Sequence, residues 1–304
     1  MSAGKAQKNP KAVKNARKKK KTDKLTSLLL ILILMAGLSL LLYPKFSNWW
    51  NSFHQSQAIA SYSDAVAELD NTKNEEIMAA AHAYNDALSS HPVVFKLTEE
   101  EAAEYAKVLD ITGTGIMGYV EIPSIKVSLP IYHGTSDGVL QIAAGHLDWT
   151  NLPIGGVGNH SVISAHRGLP SAKLFTDLDR LVEGDTFLIR VLDQIYTYEV
   201  DQILIVLPSD VQALVREPDK DYCTLETCTP YGINTHRMLV RGHRIENAEE
   251  AKVLIINNEA TLIDPRLVTG ALAMPILFVL LLITTFSDSR ARRRRRIMRE
   301  FRRR

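Results

Sequence analysis

Residues 222–243 read Tyr222-Cys223-Thr224-Leu225-Glu226-Thr227-Cys228-Thr229-Pro230-Tyr231-Gly232-Ile233-Asn234-Thr235-His236-Arg237-Met238-Leu239-Val240-Arg241-Gly242-His243. Tyr222–Cys228 and Met238–His243 are rich in β-branched and apolar residues, and Thr229-Pro230-Tyr231-Gly232 between them is turn chemistry. The stretch therefore predicts strand, turn, strand. Strand side chains alternate faces, so Cys223 and Cys228, an odd interval apart, point to opposite sides. Cys223 reads as a small core residue, whereas Cys228 ends its strand, where a rigid support presents a side chain beside a turn. These are the only two cysteines. Their interval along a strand rises about 16 Å, beyond the Cα limit of about 7 Å for a disulfide, so they do not pair within it.

Outward from this pair the same texture repeats. Tyr119–Ile122, Val127–Tyr132, Ser161–Ser164, Thr186–Leu192 and Ile195–Leu207 are short strand-like runs separated by Pro, Gly and Asp. Many short strands of this kind predict a mainly β fold, a sandwich or a closed barrel. N-terminal to them, Ser61–Asp70 and Asn74–Ser89 read as short amphipathic helices. Thr98 before Glu99–Glu101 reads as the N-cap of a helix running towards Leu109. Gly113-Thr114-Gly115-Ile116-Met117-Gly118 matches G-x-G-x-x-G, but a helix precedes it and a strand follows. That is the wrong context for a dinucleotide, and the stretch reads as a helix-to-strand turn.

The two ends of the chain carry a different signal. Leu25–Tyr43 runs 19 residues without a charge and Leu267–Phe286 runs 20. About 20 apolar residues of helix cross a bilayer, so both are expected spans. Tyr43-Pro44-Lys45 and then Trp49-Trp50 follow the first run, more like an interfacial belt than a cleavage site. Residues 1–24 hold ten Lys and Arg against one Asp, and residues 287–304 hold ten Arg against two acids. Between them 16 Lys and Arg face 31 Asp and Glu, a net of −15. Basic flanks stay in the cytoplasm, so both ends are expected inside and residues 45–266 outside. The acidic middle excludes nucleic acid as a partner, and Arg292–Arg296 reads as topology and contact with anionic lipid.

A cysteine nucleophile needs an accessible thiol, a histidine to manage the proton and a donor for the oxyanion. Cys228 fits the first requirement. Among nine histidines, His166 follows the run Ser161–Ser164 and precedes the loop Arg167-Gly168-Leu169-Pro170, while His133, His146 and His243 also adjoin the β-rich part. Spacing alone does not choose between them. Arg237 and Arg241 share one strand face. Arg237 lies nearer the turn, and an antiparallel return would set it beside the thiol.

Thr224-Leu225-Glu226-Thr227-Cys228 resembles the sortase signature, in which a TL-x-TC run ends a strand with the nucleophile. Gly118–Pro123, Leu129–Gly134, Ser161–Thr176 and Thr224–Ile245 are similar to class C, or pilin-polymerising, sortases of Gram-positive bacteria, over roughly residues 50–250. The resemblance implies an eight-stranded β-barrel with an α-helical N-terminal extension. It implies Cys228 as nucleophile, His166 as general acid and base, and Arg237 as the group that holds the substrate carbonyl and the oxyanion. The implied reaction cleaves an LPxTG-like sorting signal through a thioacyl enzyme and joins it to an amine, a pilin lysine in this class. LPxTG-type pilins or surface proteins and the lipid bilayer are the implied partners, and no cofactor or metal is expected. The class usually carries an Asp-Pro-aromatic motif in a lid before the barrel. Residues 85–105 lack it, with His91-Pro92 and Phe95 the nearest features, so no lid residues are assigned.

The expected organisation is a basic tail (1–24), a span (25–43), an extracellular helical extension (44–110), a sortase-type barrel (111–250), a linker (251–266), a second span (267–286) and an Arg-rich tail (287–304). The rival functions are a housekeeping enzyme that anchors surface proteins to peptidoglycan, a cysteine peptidase, and a non-catalytic surface binding module.

Overall fold

The structure, a computed structural model, describes residues 10–247, with side chains from residue 26 onward. Three helices lead into eight strands: α1 (Pro10–Ala67), α2 (Asn71–Ser89), α3 (Glu99–Tyr105), β1 (Ile116–Ile122), β2 (Val127–His133), a short α4 (Asp137–Leu140), β3 (Ala144–His146), β4 (Asn159–Ser164), β5 (Thr186–Val191), β6 (Gln194–Val206), β7 (Asp221–Thr229) and β8 (His236–Ile245). The strands close into a barrel in the order β1-β2-β3-β4-β7-β8-β6-β5. Most neighbours are antiparallel, but β2 with β3 and β4 with β7 are parallel. Closure leaves no strand edge unpaired, and it forces alternate residues inward on every strand. Val120, Ile122, Ile131, Ile163, Phe187, Ile189, Leu225 and Val240 fill the interior with no exposed surface.

The helical extension is tied to this barrel by a few specific contacts. Beyond Pro44, α1 turns from exposed leucines to residues spaced for one face, and Ile59 and Tyr62 pack on Ile116 and Tyr119 of β1. The Tyr62 hydroxyl donates to the Met117 carbonyl at 3.1 Å and accepts from the Leu192 amide at 2.9 Å. Asp70 caps α2 by accepting from the Lys73 amide, and Asn85 of α2 clamps both polar groups of the Leu152 backbone. Thr98 and Glu101 form a reciprocal capping box at the start of α3.

Three expectations are corrected. Ser61–Asp70 forms no separate helix, because α1 runs on unbroken to Ala67. The helix after Thr98 stops at Tyr105 rather than near Leu109, which has left-handed backbone at φ 66°. The strand β3 was not foreseen: three residues centred on Gly145 carry too little pattern to read. Among the described residues, one helix, from Thr26, is long and apolar enough to cross a membrane. The expected second span at 267–286 lies outside the described residues.

Candidate active site

Two strand registers assemble the site. Cys228 on β7 faces Arg237 on β8 as a direct antiparallel pair. On the other side, β4 runs parallel to β7 with Ser164 level with Glu226. The pairing continues past the end of β4: the Ala165 amide donates to the Glu226 carbonyl at 3.1 Å, and the Thr227 hydroxyl donates to the Ala165 carbonyl at 2.7 Å. His166 follows two residues beyond Ser164, in the loop that leaves β4. Side chains alternate along a strand, so Ser164, Glu226, Cys228 and Arg237 all lie on the outer face of the barrel.

The loops after these strands clasp each other. Arg167 ion-pairs with Asp179 and donates from Nη1 to the Thr229 hydroxyl at 3.3 Å. Gly168 has φ +80°, and a Cβ there would sit 3.0 Å from the ring of Tyr231. Glycine thus supplies both the left-handed turn and the space that let Tyr231 lie against the loop of His166. The loop folds back so that the Phe175 amide donates to the His166 carbonyl at 3.1 Å. It also rests on α1: the Asn51 side chain donates to the Ser171 carbonyl at 2.8 Å, and the Lys173 amide donates to the Asn48 side chain at 2.6 Å.

A cavity of about 340 Å³ opens beside this row, lined by Trp149, Ser164, Leu207, Glu226, Arg237 and Leu239 among others. Phe95, between α2 and α3, meets Trp149 edge-on with ring centroids 5.0 Å apart. Arg216 holds the same segment by donating to the Ser89 and His91 carbonyls. The larger cavity of about 560 Å³ lies between α2 and α3 against Ile77, Ala80 and Val108 and holds no nucleophile, so size alone does not mark the site.

The site separates the two cysteines and sorts the candidate bases. Both cysteines are free. Cys228 is half-buried, and Cys223 faces the core, where burial pushes its thiol well above the usual range. His146 is fully buried between the Tyr105 hydroxyl and the Asn151 carbonyl, and burial holds its pKa down to about 3. His133 bonds the Gly115 and Val108 carbonyls. His243 pairs with Tyr222, six residues and about 20 Å along the strand from Cys228. Arg241 is committed elsewhere, bidentate to Asp201 at 3.0 and 3.1 Å and stacked 4.1 Å over the Tyr222 ring. Among the sequence candidates, Arg237 pairs directly with Cys228, and His166 stands in the loop after β4, the strand on the other side of β7.

Glu226 was quoted in the motif but assigned no chemistry, yet its carboxylate grips Arg237 Nε at 3.2 Å. Its position two residues from the nucleophile, hence on the same strand face, was the available signal. Trp149 and the Asn48–Asn51 contacts had none, since they depend on packing between distant segments. A thiol and a guanidinium on one outward face beside a groove, with an imidazole in the loop after the adjacent strand, are the parts of an acyl-transfer site.

Comparison with known proteins agrees with that chemistry. Residues 120–245 match the family model described as Sortase domain. The chain is similar to the crystal structure of sortase C1 from Streptococcus agalactiae: 48% identical, covering 63% of this chain and 100% of that one, with a TM-score of 0.62. It is 43% identical to a Streptococcus pneumoniae sortase C described in terms of catalysis and pilin substrate specificity, over 63% of this chain and 97% of that one, with a TM-score of 0.56. Sortase A of Streptococcus agalactiae serotype III (strain NEM316) is 32% identical over 117 residues. That match spans 38% of this chain and 47% of the relative's length.

Proposed function

Because this chain belongs to the sortase family, we propose that it is a membrane-anchored cysteine transpeptidase of the pilin-polymerising kind. Cys228 attacks the carbonyl of the Thr–Gly bond in an LPxTG-like sorting signal. The C–N bond breaks as His166 protonates the departing amine, leaving the acyl group on sulfur. An incoming amine, a pilin lysine in this reading, loses a proton to His166 and attacks the thioester, and the C–S bond breaks to release Cys228 as a thiolate beside the protonated His166, the pair that begins the next cycle. Arg237 donates to the carbonyl oxygen as it becomes an oxyanion. The observation that carries this reading is the register that pairs Cys228 with Arg237, with His166 in the loop that leaves the strand on the other side of β7.

The apolar first half of α1 is taken as the anchor, with a second span at 267–286 and the barrel on the extracellular face. Trp49 and Trp50, just past the span, suit the water–lipid boundary. A pilin lysine is favoured as acceptor by the 43% likeness to a sortase described with pilin specificity.

Mass spectrometry of the full chain in detergent, after exposure to a panel of sorting-signal peptides, tests the chemistry. An acyl adduct on Cys228 that is absent from Cys228→Ala supports it; no adduct with any peptide argues for a binding module. Adding an amine separates transfer from hydrolysis: product partitioning that ignores the amine makes the protein a peptidase. High-molecular-weight ladders of one surface protein, lost on deleting the gene, support pilin assembly over anchoring to peptidoglycan, and ladders that persist overturn it.

A further inference from the structure

Glu226 occupies the variable position of the TL-x-TC run, and its surroundings do not favour a carboxylate. Its direct partner on β8 is Leu239, 3% exposed, and Leu239 clusters with Trp149, Val162 and Leu214 on the outer face. The Glu226 side chain is itself only 13% exposed. Burial pushes its carboxyl above the usual range, and Arg237 together with the Ser164 hydroxyl offsets that only in part. An apolar side chain would suit the fold better, since a buried ion pair rarely recovers its desolvation cost.

What the carboxylate does accomplish is geometric. It reaches diagonally from β7 to β8, from the position two residues before the nucleophile to the residue opposite the nucleophile. It engages Arg237 through Nε at 3.2 Å. Of the two terminal nitrogens, Nη1 makes a long 3.4 Å contact to the His236 carbonyl, and Nη2 has no hydrogen-bond partner among the described residues. An ion pair at Nε holds the guanidinium from its inner side and leaves Nη2 open, where it can meet an oxyanion. Ser164 is level with Glu226 on β4, so Ser164, Glu226 and Arg237 lie on three adjacent strands.

We propose that Glu226 is a positioning residue whose ion pair at Nε holds the Arg237 guanidinium and leaves Nη2 for the substrate oxygen beside Cys228. The proposal rests on the transpeptidase reading, in which Arg237 meets the developing oxyanion.

A double-mutant cycle on the full chain in detergent tests it, reading the rate at which an LPxTG-like peptide acylates Cys228. Glu226→Leu removes the grip at similar volume, and Glu226→Gln leaves a neutral acceptor. We expect Glu226→Leu to slow acylation about tenfold and Glu226→Gln to slow it less, the loss of one half-buried ion pair that sets geometry. The loss falls on kcat more than on KM. In an Arg237→Ala background neither substitution slows acylation further, and iodoacetamide alkylates Cys228 at the parental rate throughout. Acylation at the parental rate in both Glu226 variants overturns the proposal. So does an equal loss with and without Arg237, which would mark Glu226 as merely structural. Should Arg237→Ala itself acylate at the parental rate, the role given to Arg237 falls and takes this one with it. Should Cys228 never acylate, it is the transpeptidase reading that fails.

Discussion

Cys228 and Arg237 stand directly opposite each other across β7 and β8, one pair in from Thr229 and His236, which close the strands at the turn. The intervening turn, Pro230–Thr235, is short, so the two side chains are neighbours by local geometry alone. His166 follows by a different route, in the loop that leaves β4, the strand parallel to β7. One hairpin thus pairs two of the proposed groups, and one long-range register sets the strand that leads to the third.

Removing each group should have a distinct signature. Cys228→Ala is expected to form no acyl adduct at all. His166→Ala should slow acylation by at least about 100-fold, the usual share of general acid–base catalysis. Arg237→Ala should cost roughly 100- to 1,000-fold, as loss of an oxyanion donor does. Arg237→Lys should recover little, since an ammonium cannot be held by one nitrogen while presenting a planar fork. Single-turnover rates read by intact mass check all four.

Thiol labelling should distinguish the two cysteines without any substrate. Cys228 is half-buried, whereas Cys223 is fully buried with its thiol pushed well up. One alkyl group per native chain is expected, on Cys228, and two after unfolding in denaturant. Peptide mapping that finds native label on Cys223 would contradict the barrel register.

Acid should destabilise the barrel through two buried histidines outside the catalytic row. His146 is held at about 3 and His160 at about 4, both by burial. Each imidazole is neutral in the fold, giving one N–H to a carbonyl and accepting a hydroxyl proton: Asn151 and Tyr105 for His146, Val215 and Thr224 for His160. The unfolded chain, with histidines near 6.5, binds more protons below that pH, so stability present above about 6.5 is lost as pH falls. The slope is about 1.4 kcal/mol per pH unit for each group until its folded value is reached. Thermal melts from pH 7 to 4.5 should fall accordingly, and His160→Gln should flatten the slope.

Two glycine substitutions in the same region should move stability in opposite directions. A Cβ on Gly145 would lie 2.2 Å from the Gly134 carbonyl oxygen, backbone against backbone, where β2 and β3 run parallel. Gly145→Ala is expected to cost more than about 2 kcal/mol. Gly138 lies in α4 with nothing within 4 Å of its added Cβ, so Gly138→Ala should be neutral or stabilise by up to about 1 kcal/mol. Denaturant midpoints measure both.

The anchor helix should influence the loop that follows His166. Asn48 and Asn51 each make one hydrogen bond to the Ser171–Lys173 backbone. At about 1 kcal/mol per bond, Asn48→Ala should speed amide exchange at Lys173 about fivefold. Hydrogen exchange of the full chain in detergent reads this directly, and unchanged exchange would mean the loop is held without α1.

What the sequence determined by itself was local and periodic. Alternation along Tyr222–Cys228 is enough to part Cys223 from Cys228, and the breaks between β-branched runs are enough to announce short strands, because side-chain direction and turn chemistry depend on neighbours a few residues away. The length of Leu25–Tyr43 announces a span for the same reason. Spacing alone does not bring His166 to Cys228: it lies 62 residues earlier, and nothing in either segment states that β4 runs parallel to β7. Tertiary structure alone parted Arg237 from Arg241, which share a strand face and differ only in which acids the neighbouring strands bring, Glu226 for one and Asp201 for the other. Such choices depend on pairing and burial between distant segments, and those are settled only when the barrel closes.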